Sequence, residues 1–150
     1  MALLVALHVL AAVVWVGGMF FAYMVLRQAA APLEPKTRLA LWHRVFGRFF
    51  PWVWASIVVL LVSGYSMMFV HFGGFGGVGW HIQIMQGIGI VMMLLFLHLF
   101  FVPWRRFGHA VEREAFPEAT KELGQIRRIV ATNLVLGILT VLVGASGRFW

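Results

Sequence analysis

Four long apolar runs divide the chain, separated by three connectors of very different character. The runs are roughly Leu3–Leu26, Phe49–Phe72, Trp80–Trp104 and Ile129–Gly147, and none contains Asp, Glu, Lys or Arg. Crossing the hydrocarbon as a helix takes about 20 apolar residues, so each run predicts one span. An open sheet has no partners for its backbone groups in lipid, and the runs are far too long for barrel strands. The expected fold is therefore all-α: an integral membrane four-helix bundle, with residues 1–150 forming a single transmembrane domain. No basic residue precedes the first run, which is also too long for the apolar stretch of a signal peptide. It is expected to remain as a span.

The connectors set the orientation. Connector one, Arg27–Arg48, carries Arg27, Lys36, Arg38, Arg44 and Arg48 against Glu34. Connector three, Arg105–Arg128, carries Arg105, Arg106, Arg113, Lys121, Arg127 and Arg128 against Glu112, Glu114, Glu118 and Glu122. Connector two, residues 73–79, has no charge and is rich in glycine. Of the 12 Lys and Arg residues only Arg148 falls outside connectors one and three. The positive-inside rule places those connectors in the cytoplasm. The bundle is then N-out/C-out in a bacterial inner membrane, with both termini periplasmic. Ala31-Pro32-Leu33-Glu34-Pro35 is expected to break the first helix. Lys36–Phe50 then reads as an amphipathic surface helix between spans one and two, and connector three as a mixed-charge helical extension interrupted at Pro117. Connector two suits a hairpin or lid at the outer surface.

Composition agrees and narrows the chemistry. The chain is 62% hydrophobic and 11% charged, far more apolar than a soluble domain. It has no cysteine, which excludes disulfides, thiolate metal sites and cysteine nucleophiles. A formal net charge of +7 would ordinarily suggest nucleic acid. Here the charge is packed into two connectors, so it reads as a topology signal, with lipid and not nucleic acid as the partner.

The histidines carry the candidate chemistry, since an ionisable side chain inside a span is a functional hypothesis by default. By depth they form an outer trio, His8, His71 and His81, and an inner set, His43, His98 and His109. His8 and His98 differ in depth by well over ~10 Å at the helical rise, too far to share one metal. On span one, His8, Ala11, Ala12, Trp15, Gly18 and Ala22 share a stripe; on span two, Gly64, Met67, Met68 and His71 do so. Span four aligns Asn133, Gly137, Thr140, Gly144 and Gly147. Small residues either let membrane helices approach closely or leave room for a flat macrocycle. Two imidazoles facing such a cavity is how haem b is held in a helical bundle. In that reading the iron ligands are His8 and His81, with His71 as the alternative second ligand. Trp15, Thr140 and Gly144 wall the cofactor, and Arg148 pairs with its propionates. His43 and His109 read as polar-face residues, and the tryptophans Trp52, Trp54, Trp80, Trp104 and Trp150 as interface anchors.

Leu7-His8-Val9 followed by Val14-Trp15-Val16-Gly17-Gly18-Met19-Phe20 resembles the first span of the CopD and HemJ-type superfamily of membrane proteins. Gly79-Trp80-His81-Ile82-Gln83 is similar to the start of a later span in HemJ-type protoporphyrinogen oxidases, with His98, Arg105 and Arg106 following in the same order. Residues 127–143 resemble the next span. This likeness implies haem b and membrane redox chemistry, as an oxidoreductase or electron carrier, with a quinol, a porphyrinogen or a reactive oxygen species as donor. Gln83 stands where HemJ-type chains have Lys, which removes a charge that could meet an acidic tetrapyrrole. CopD relatives are associated instead with copper uptake or resistance. Met67, Met68, His71, His81 and Met85 are soft and borderline donors suited to copper(I). A second haem held by the inner set, a structural subunit without cofactor, catalytic residues and a homo-oligomer all stay open at this point.

Overall fold

The computed structural model describes residues 1–149, apart from the side chain of Arg148; Trp150 lies outside the described residues. The described chain is helical throughout, without strands. Helix α1 (Ala2–Phe20) continues through a π-helical turn (Phe21–Leu26) into α2 (Arg27–Ala30). Then follow α3 (Pro35–His71), α4 (Trp80–Phe101), α5 (Pro103–Glu112) and α6 (Phe116–Ser146). Four helical stretches, Ala2–Ala30, Pro35–His71, Trp80–Glu112 and Phe116–Ser146, are long and apolar enough to cross a membrane. Connectors one and three meet at a basic end of the bundle; connector two, the start of α1 and the end of α6 lie at the opposite end, where Arg148 is the one Lys or Arg of the sequence.

Helix α1 packs between α3 and α6, and α4 lies against α6. The α3 and α4 backbones keep apart because large side chains stand between them. Trp54 meets Phe96 and Phe100 edge-on, each with ring centroids 5.4 Å apart. Gln86 Nε2 donates to Tyr65 Oη at 3.0 Å. Helices α1 and α3 come much closer, because the Phe49 ring occupies the place where Gly18 would otherwise carry a Cβ.

The two ends differ in how they are held. Helix α3 has 37 residues and is therefore ~55 Å long, against ~30 Å of hydrocarbon. The excess projects at the basic end, where α5 folds back along α6. Leu39, Trp42, Phe46, Phe50, Phe107, Ala119, Leu123 and Ile126 are all buried there. Water surrounds that end, so apolar side chains turn inward. Along the spans the reverse holds, with Val5, Leu10, Val13, Val62 and Leu142 exposed on outward faces where lipid replaces water.

Two expectations are corrected. Residues 36–50 form no separate surface helix; they are the first turns of α3, which passes through Pro51 without a break. Pro51 gives up one backbone hydrogen bond, but Phe50 and Val53 beside it are locked in the core and hold the helix together. In connector three the interruption falls at Arg113–Ala115, with Glu114 at φ 54°. Pro117 sits instead in the first turn of α6, where its missing N–H costs nothing.

Candidate functional site

The outer part of the bundle brings His8 of α1 onto α3. His8 Nδ1 lies 2.8 Å from Ser63 Oγ. The Ser63 hydroxyl donates its single proton to the Val59 carbonyl at 2.5 Å, the usual back-bond of a helical serine. Its oxygen can therefore only accept from the histidine. That bond suits the tautomer protonated at Nδ1, in which Nε2 carries the lone pair, the arrangement that prepares an imidazole as a metal ligand. The ring lies over Gly64, where a Cβ would stand 3.1 Å from His8 Cε1; a bulkier residue would push it off α3.

His81 and Met85 lie one turn apart on α4 and face the outer end of α6. A Cβ on Gly144 would stand 2.8 Å from Met85 Cε and 3.0 Å from its Sδ, and one on Gly147 would overlap the His81 ring. Further in, Gly137 meets Val16 and Met92, and Asn133 Nδ2 donates to the Met92 carbonyl at 3.1 Å. Gly137, Gly144 and Gly147 of the small-residue stripe thus face side chains of α1 and α4. Thr140 turns its hydroxyl back to the Leu136 carbonyl, 2.9 Å away. Trp15 is buried against Phe96, with ring centroids 6.3 Å apart. The Arg148 side chain lies outside the described residues.

The histidine sets do not close into cages. His8 is turned to α3 and His81 to α6, while His71 ends α3 exposed. His43, read from sequence as a polar-face residue, stacks on Trp104 at 5.3 Å and lies against Gly108 of α5. His98 is exposed, and the exposed His109 lies 3.9 Å from Glu112. Among the described residues no three His, Asp or Glu side chains gather as a metal cage. Ser63, which orients the principal imidazole, was not marked by any sequence pattern beyond its place in a span.

The model of one family, CopD, Copper resistance protein D, matches residues 43–146. The match runs from α3 to the end of α6 and includes Met67, Met68, His71, His81 and Met85; His8 precedes it. No curated protein and no solved structure matches the chain. With four apolar membrane-length helices and more than half of its length matched, this chain is a multi-pass membrane protein of the CopD, copper resistance protein D, family.

Proposed function

We propose that this protein handles copper(I) within the membrane, accepting the ion at the end of the bundle that holds connector two. The observation that carries this reading is the hydrogen-bond chain from His8 Nδ1 to Ser63 to the Val59 carbonyl, which presents Nε2 as a lone-pair donor. His81 and Met85 add an imidazole and a thioether on one face of α4. Met67 and Met68 follow Gly64 toward the same end of α3, and His71 closes it. Imidazole with thioether is a donor set that selects copper(I) over harder cations. Copper is here the cargo, and the soft donors would pass it along the outer third of the spans. The family membership supports copper. By the charge bias of the connectors, the basic end faces the cytoplasm and the copper-accepting end the periplasm.

Purified full-length protein, titrated with copper(I) against a chromophoric chelator under reducing conditions, is expected to take up stoichiometric copper. His8→Ala and Met85→Leu should each weaken uptake ~10-fold or more, the range seen when a ligand or its support is removed. A protein that leaves all the copper with the chelator, or one that carries stoichiometric haem in a pyridine haemochrome assay, would overturn the assignment.

A further inference from the structure

The two imidazoles named for copper belong to different seams of the bundle. Helix α1 packs between α3 and α6, and α4 lies against α6. The His8 ring is seated in the α1–α3 seam, with Nδ1 on Ser63 Oγ at 2.8 Å and Cε1 over Gly64. The His81 ring is seated in the α4–α6 seam, where a Cβ on Gly147 would overlap it. The seams are separated by the α1–α6 contact, where Val16 lies on Gly137.

Each seam has its own thioether. On α4, Met85 follows His81 by one turn, and its Sδ lies 3.0 Å from the point that a Cβ on Gly144 would take. On α3, Met68 follows Gly64 by one turn and is 5% exposed. Side chains on a helix lean toward its N-terminus and cover the preceding turn. For Met68 that turn carries Gly64, on which the His8 ring rests. Helices α1 and α3 run antiparallel, so His8 leans toward the end of α3 while Met68 leans back toward Gly64. The two side chains thus lean toward each other over a residue that has none of its own.

Imidazole with thioether selects a soft ion such as copper(I). A closed-shell ion of this kind takes a facing pair of donors and does not require the three-sided cage that is missing among the described residues. Resting on the copper reading, we propose that the outer part of the bundle holds two separate copper(I) stations. One is His8 Nε2 with the Met68 thioether in the α1–α3 seam, and the other is His81 with the Met85 thioether in the α4–α6 seam. Passage through a membrane requires binding that is strong enough to admit an ion and divided enough to release it, and paired stations of like donors meet that need.

Native mass spectrometry of the full-length protein, loaded with copper(I) under reducing conditions, counts the ions directly. The parent protein is expected to saturate at two ions per chain. His8→Ala, Met68→Leu and Met85→Leu should each saturate at one, and the His8→Ala/Met85→Leu double variant at none. Met24→Leu, on an exposed face of the π-helical turn far from both seams, should keep two. Met68→Leu nearly conserves volume, so the α1–α3 station is still tested if circular dichroism shows that His8→Ala does not fold. A parent protein that saturates at one ion, a His8→Ala protein that loses both, or a Met68→Leu protein that keeps both would overturn the proposal and leave copper handling in place. A parent protein that binds no copper would instead overturn the copper reading, and the two stations with it.

Discussion

His8 Nδ1 and Ser63 Oγ meet at 2.8 Å across the α1–α3 interface, and the serine proton is already committed to Val59. A single hydroxyl thereby decides which nitrogen of the imidazole is available. Ser63→Ala removes that constraint without touching the ligand atom. Copper(I) affinity is expected to fall ~10-fold, the size of effect known for lost supporting contacts at metal sites, while Ser63→Thr should restore most of it. Competitive titration of the three proteins reads the difference.

The close contact between Gly144 and Met85 makes a packing test with a functional readout. Gly144→Val forces the Met85 thioether out of its place on α6. Overpacking of this kind costs ~1–3 kcal/mol, so the unfolding midpoint in detergent should drop and copper(I) uptake should weaken in the same protein. Gly137→Val, set against Val16 and Met92 farther from the end, should lower stability and leave copper affinity within about two-fold of the parent protein.

Asn133 ties α6 to α4 through its bond to the Met92 carbonyl, while its Oδ1 is buried without a partner. A carbonyl only accepts, so the amide orientation is fixed. Interhelical bonds within membranes are worth about 0.6–2 kcal/mol, and the unpartnered oxygen offsets part of that. Asn133→Leu is expected to destabilise by about 1 kcal/mol or less in reversible unfolding from mixed micelles. A loss several times larger would mean that Asn133 serves a bound ligand.

The absence of cysteine lets the orientation be read with single introduced thiols. Gly76→Cys in the uncharged connector should react with a membrane-impermeant maleimide in intact cells, and Arg113→Cys at the basic end only after permeabilisation. The reverse pattern would invert the topology and put the copper-accepting end in the cytoplasm.

Much of this architecture is legible in the chain because lipid imposes a simple rule. A span must be long, apolar and uncharged, so the four runs stand out, and the Lys and Arg residues mark one common end. The same rule hides what happens beyond the bilayer. Residues 36–50, following the break at residues 31–35, look like a separate amphipathic helix, yet burial of Leu39, Trp42, Phe46 and Phe50 carries α3 straight through. The site was legible by type and less so by arrangement. His8 and His81 stand out as imidazoles at the outer end of spans, but which helix each ring faces is set by small residues on the neighbour. Gly64 and Ser63 draw His8 to α3, and Gly147 takes His81 to α6. On the α6 stripe, the flexible thioether chains of Met85 and Met92 lie against Gly144 and Gly137.

The most direct test is X-ray absorption at the copper edge of the copper(I)-loaded protein, compared with His8→Ala and Met85→Leu. A mixed shell of imidazole nitrogen and thioether sulfur is expected, with the nitrogen contribution reduced in the first variant and the sulfur contribution in the second. A spectrum unchanged by the loss of His8 would contradict the assignment of its Nε2 as the copper donor.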